Sequence, residues 1–127
     1  MTKKIIGAML AVVVLGVALW VWSSSEKAKN ATMTPISSDI IFFYGQECSH
    51  CQDVEEFITD NNIDEKVNFD SLEVWHNNAN AEILTQKARE CGLAQEEIGV
   101  PLISAKGECF VGTPAVETFL KKEAGIK

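Results

Sequence analysis

The amino-acid sequence predicts a small α/β domain, βαβαββα in order, behind an apolar N-terminal segment. Three observations lead there. Residues 5–22 are apolar without a charge, and short apolar runs alternate with helical-period segments from residue 39 onward. Cys48-Ser49-His50-Cys51 falls at the join between the first such run and the first such helix. The chain has 127 residues, and residues 39–127 suffice for one modest core but not two. The expected organisation is a membrane anchor over residues 1–22, a flexible linker over 23–38 and a globular domain over 39–127.

The apolar segment (IIGAMLAVVVLGVALWVW) holds 18 residues. As a helix it would span roughly 27 Å, close to the hydrocarbon thickness of a bilayer. Lys3 and Lys4 precede it, and Trp20 and Trp22 close it in the manner of interfacial anchors. Lys27 and Lys29 follow on the other side, with Glu26 among them, yet the short basic stub favours an N-terminus inside and a domain outside the cytoplasm. A cleaved signal peptide, with Ser23-Ser24-Ser25 as the cleavage region, is the competing reading. Both export the domain. Residues 23–38 are polar with one proline and read as a tether.

Within the domain, residues 39–44 (DIIFFY) form a short apolar run ending at Gly45, the pattern of a buried strand. After Cys48 the period changes, with Cys51, Val54, Phe57 and Ile58 at helical spacing before Asn61-Asn62. Residues 67–72 (VNFDSL) alternate as a second strand. A helix over residues 79–91 sets Leu84, Ala88 and Cys91 on one stripe, and Gly92 stops it. Residues 101–104 and 109–111 flank a turn and read as a hairpin. Thr113-Pro114 opens a last helix, Thr113 as cap and Pro114 at the first helical position. The sheet is expected to be four-stranded and mixed, flanked by three helices.

Charge removes one class of function. From residue 32 onward, 17 acidic residues face 7 basic ones, a net charge of −10. Such a surface repels phosphate backbones, so nucleic acid is not an expected partner.

Two cysteines separated by two residues, directly after a strand and opening a helix, carry a specific chemistry. The first thiol sits at the helix N-terminus, where free backbone N–H groups and the dipole stabilise a thiolate. The second lies one turn in, within reach of a disulfide. Cys48 is therefore the expected nucleophile and Cys51 the resolving thiol in thiol–disulfide exchange. His50, by carrying positive charge, would favour the reduced form and so make the disulfide more oxidising. Two other readings of these residues stay open at this point. One is a structural disulfide; the other is a copper or zinc site built from Cys48, His50 and Cys51 in an exported metal carrier.

The runs Phe42-Phe43-Tyr44-Gly45, Cys48-Ser49-His50-Cys51 and Gly99-Val100-Pro101, with Gly112, resemble the thioredoxin superfamily across residues 39–124. The outline is compact and glutaredoxin-like, and the Cys-x-His-Cys centre is similar to that of DsbA-type disulfide oxidases. The resemblance implies a thioredoxin-like fold and a cis peptide bond before Pro101. It also implies an antiparallel third strand that brings Val100 and Pro101 beside the dithiol as substrate-binding residues. The Val100 backbone would there hydrogen-bond an incoming peptide strand. Three departures bear on the chemistry. Phe42 stands where thioredoxins hold a buried acid, Ser49 replaces the proline of the DsbA-type centre, and Glu47 places a carboxylate directly before Cys48, where it opposes thiolate formation.

Cys91 and Cys109 both fall at the pole of such a fold away from the dithiol. An even cysteine count in an exported domain permits a structural disulfide between them, and two buried thiols are the alternative. Trp75 and His76 follow the second strand and fall on the dithiol side. The sequence calls for no cofactor. Protein or small-thiol disulfides are the expected substrates, with a membrane redox partner to recycle the dithiol.

Overall fold

The computed structural model describes residues 35–127. The span expected over residues 5–22 and most of the linker lie outside the described residues; among these, no helix is long and apolar enough to cross a membrane. The domain is an α/β sandwich around one four-stranded mixed sheet. The strands are β1 (Ile40–Tyr44), β2 (Asp70–Glu73), β3 (Leu102–Ala105) and β4 (Glu108–Val111). Their order across the sheet is β2-β1-β3-β4, with β2 parallel to β1 and the other two pairs antiparallel. The helices are α1 (Ser49–Asp60), α2 (Ile63–Lys66), α3 (Asn78–Glu90) and α4 (Thr113–Glu123), with a 3-10 turn at Gln95–Glu97.

The strand period of two divides the core. Ile40 and Phe42 of β1, with Ile103 and Ala105 of β3, face a layer made by Val54 of α1, Ile63 of α2 and Val116 and Leu120 of α4. Ile41 and Phe43, with Leu72 of β2 and Leu102, face Leu84 of α3 on the other side. Phe42, Phe43, Leu72, Leu102 and Ile103 are at most 1% exposed. Burying each such side chain stabilises the fold by about 1.5–3 kcal/mol. Phe110 and Phe119 stack with centroids 4.6 Å apart and close the first layer at the β4 edge.

The architecture matches the sequence expectation for the sheet and corrects it for the helices. Among the described residues there are four α-helices, not three. Asn62 takes a left-handed conformation (φ 49°) that breaks the first helix, and the chain restarts for one turn so that Ile63 can be buried. A four-residue helix leaves no periodicity to read. The second strand begins at Asp70 rather than residue 67, because its pairing with β1 starts at Ile41–Asp70. Thr113 is not the cap of the last helix. Gly112, at φ 87°, holds that position, and Thr113 begins the helix with its hydroxyl turned elsewhere. The β3–β4 turn is the two-residue Lys106-Gly107, both at positive φ, which suits the twist of a tight hairpin.

Two further ties position the frame. Ser37 and Ser38, in the expected linker, are fixed to β2: the Ser37 amide and hydroxyl and the Ser38 amide donate to the Asp70 carboxylate at 2.6, 3.0 and 2.7 Å. At the far pole, Cys91 at the end of α3 and Cys109 of β4 form a disulfide-distance pair, Cα atoms 5.7 Å apart.

Candidate active site

The site is assembled where four strand ends meet. β1 and β2 finish there, β3 starts there, and β4 returns to it. The chain leaves β1 through Gly45, turns by a Cys48 N–H to Gly45 carbonyl hydrogen bond of 3.1 Å, and enters α1 with Cys48 as N-cap. The Cys48 sulfur accepts a hydrogen bond from the Cys51 backbone N–H at 3.2 Å. A helix N-terminus has unpaired donors of this kind, and here one of them points at sulfur. Cys48 and Cys51 are a disulfide-distance pair with Cα atoms 5.2 Å apart. Cys48 is 6% exposed and Cys51 is fully buried, so the first sulfur is the accessible one.

The Val100–Pro101 peptide is cis, as the resemblance implied. It puts the Val100 carbonyl oxygen 3.9 Å from the Cys48 sulfur, while the Pro101 carbonyl accepts from Gly112 N–H at 2.8 Å. Pro101 is buried, and Val100 remains partly exposed. The Thr113 hydroxyl donates to the His50 carbonyl at 3.1 Å, fastening the start of α4 to the start of α1. Residues far apart in sequence, Cys48, Val100, Pro101 and Thr113, thus converge on one turn of helix.

His50 lies at the surface in the first turn of α1. Its side chain is 77% exposed, with Nδ1 3.8 Å from an Asp53 carboxylate oxygen, which offsets any positive charge it carries. Among the described residues no group of three or more His, Cys, Asp or Glu side chains is arranged to hold a metal ion.

Three features escaped the sequence reading. The Glu47 carboxylate pairs with His76 Nε2, both oxygens at 2.8 Å. The strand register contained the signal: β1 and β2 end opposite one another at Tyr44–Glu73, so residues three positions beyond each end come level. The His76 pKa is raised, chiefly by the hydrogen bond to Glu47 and then by that residue's charge. Second, the Glu73 carboxylate accepts from the backbone N–H groups of Trp75 (2.8 Å), His76 (2.9 Å) and Gln46 (3.3 Å). Burial raises the Glu73 pKa, but these three donors outweigh it and hold the carboxyl below its ordinary value. Third, the Trp75 indole lies across Gly45, where a Cβ would collide with the ring. Only glycine lets an aromatic face approach the backbone so closely at this turn.

A mixed four-stranded sheet between helical layers, with a Cys-x-x-Cys pair at the β1–α1 join, defines a thioredoxin-like fold. Among solved structures the chain is similar to wheat glutaredoxin, with a TM-score of 0.51 and 20% identity over 71% of this chain and 78% of that one. It is also similar to glutaredoxin C1 from Populus tremula x tremuloides in its holo form (TM-score 0.48, 18% identity, 76% and 80% covered). A buckwheat glutaredoxin–glutathione complex aligns at TM-score 0.47 and 14% identity, over 70% and 82%. At these identities the likeness concerns architecture. No protein-family model and no curated protein matches the chain.

Proposed function

We propose that the protein is a thiol–disulfide oxidoreductase working through Cys48 and Cys51. The observation that carries this reading is the Cys48 sulfur at the α1 N-cap, receiving the Cys51 N–H and facing the carbonyl before a cis proline. A thiolate at that position attacks a substrate disulfide. A Cys48–substrate S–S bond forms, and the other substrate sulfur leaves as a thiolate. Cys51 then loses its proton and attacks the Cys48 sulfur, closing Cys48–Cys51 and releasing the second substrate thiolate. Two electrons pass to the substrate. In the reverse direction a substrate thiolate attacks the Cys48 sulfur, breaking Cys48–Cys51 and releasing the Cys51 thiolate. A second substrate thiolate then attacks the mixed disulfide, so that the substrate leaves as a disulfide and Cys48 as a thiolate.

Phe42, 1% exposed, occupies the position of an internal acid, and the buried polar residues among those described are Asn80 and Ser104. The proton of Cys51 therefore passes to water rather than to a buried carboxylate. His50 modulates the pair from the surface, and Val100 with Pro101 forms the substrate-facing backbone. The apolar segment over residues 5–22 anchors the chain, the domain works on the extracytoplasmic side, and a membrane redox partner recycles the dithiol. The basic stub and flanking tryptophans support that placement.

The test is exchange with a small disulfide by the full-length chain, with the reduction potential of the pair measured alongside. Activity lost in Cys48→Ala supports the reading; activity retained in it contradicts it. A potential near about −120 mV marks a disulfide donor, and one near about −270 mV a reductant.

A further inference from the structure

We infer that the dithiol pole is built for an extended polypeptide that is neutral or basic and bears an apolar residue beside its cysteine, with Trp75 as the residue that selects it. The inference rests on the oxidoreductase reading and names that site's substrate class. Trp75 is 52% exposed, an exposed large apolar side chain at this pole. It is also held in place. Its backbone N–H is bound by Glu73, its neighbour His76 is bound by both Glu73 and Glu47, and its ring rests on Gly45. An aromatic face kept in water at a fixed position loses little further freedom on binding.

The strand order sets what such a face can serve. Across the pole the four strand ends run from Trp75 after β2, through Gly45 after β1 and Val100-Pro101 before β3, to Val111 at the end of β4. Val111 is 37% exposed and forms a second apolar point. Adjacent strands lie about 4.8 Å apart, so three intervals span about 14 Å, the reach of roughly four extended residues. A chain laid across the ends would pass Cys48 and the Val100 carbonyl in the middle and cover Trp75 at one side.

Charge fixes the other half of the selection. Among the described residues every Lys and Arg lies toward the far pole. They occupy the last turns of α2, α3 and α4, the β3–β4 turn and the C-terminal residue. The carboxylates of Glu47, Asp53 and Glu73 stand at the dithiol pole, where the basic side chains among the described residues are His50 and His76. A basic or neutral peptide is attracted to such a pole and an acidic disulfide is repelled, more so at low salt.

The experiment uses the full-length reduced chain and three probes. Two are peptides carrying one cysteine as a mixed disulfide with mercaptoethanol, one flanked by Phe and Lys, the other by Glu on both sides. The third is hydroxyethyl disulfide. The Phe/Lys peptide is expected to exceed the Glu peptide in kcat/KM by about tenfold at low salt, with the ratio shrinking as salt rises. Trp75→Ala should raise KM for the Phe/Lys peptide about fivefold, with a distinctly smaller change toward hydroxyethyl disulfide, and Trp75→Phe should restore most of the loss. Equal kcat/KM for the two peptides, or an equal loss on all three probes in Trp75→Ala, overturns the inference. If the wild-type chain exchanges with none of the probes, the oxidoreductase reading itself fails and takes the inference with it.

Discussion

Both oxygens of the Glu47 carboxylate lie 2.8 Å from Nε2 of His76, so the acid directly before Cys48 is engaged by a base from the neighbouring strand end. Read from sequence alone, Glu47 opposes a thiolate at Cys48. With an imidazolium beside it, much of that opposition is offset.

Removing the partner should therefore expose the acid. In His76→Gln the reduction potential of the Cys48–Cys51 pair should fall on the order of 10–20 mV, a small change because both side chains are more than half exposed and screened. Glu47→Gln should move it the opposite way. The sign with pH follows from the raised His76 pKa. The pairing is complete below the ordinary imidazole value and is lost as pH rises through the raised one. Redox equilibration across that range checks this; a wild-type potential with the same pH dependence as His76→Gln contradicts it.

The Cys91–Cys109 pair closes a loop with a sequence separation of 18. On the chain-entropy account such a link stabilises a domain by about 3 kcal/mol. The double variant Cys91→Ala/Cys109→Ala should then melt roughly 10–20 °C lower while still folding, since the apolar layers remain. Two titratable thiols in the oxidised, denatured wild-type protein would show that the pair is not joined.

Asp70 holds the approach to β1 by accepting three hydrogen bonds from Ser37 and Ser38. Burial raises its pKa, but those donors prevail and lower it. Its contribution is present above the ordinary carboxylate pKa and lost as pH falls through the depressed value. Asp70→Asn should cost about 1 kcal/mol at neutral pH, flatten the acid limb of the stability curve and speed proteolysis just before residue 39. An unchanged acid limb counts against it.

A Cβ at Gly45 meets the Trp75 ring. Gly45→Ala should destabilise the domain by about 1–3 kcal/mol as the indole is displaced. Denaturant titration with tryptophan fluorescence reads both effects; wild-type stability with unshifted emission would mean that the ring does not rest there.

What the sequence made legible follows from periodicity. The β1 run is so apolar because both its faces are covered, Phe42 by the α1–α4 layer and Phe43 by the α3 layer. The Cys48–Cys51 spacing is a local signal, and the pair does fall at the β1–α1 join where the candidate site is placed. The cis bond before Pro101 came through resemblance, since Gly-Val-Pro by itself is an ordinary loop. What stayed hidden depends on register. Glu47 meets His76 only because β1 and β2 end level, and the Thr113 hydroxyl bonds His50 instead of capping α4 because Gly112 swings the chain at positive φ. Neither relation leaves a trace in spacing along one element.

The central claim is that Cys48 attacks and Cys51 resolves. The most direct measurement is intact-mass analysis of full-length Cys51→Ala after incubation with a peptide disulfide, followed by mapping of the adduct. A stable, stoichiometric mixed disulfide on Cys48, released by added thiol, is the expected result. No adduct, or an adduct spread over Cys91 and Cys109 instead, would contradict it.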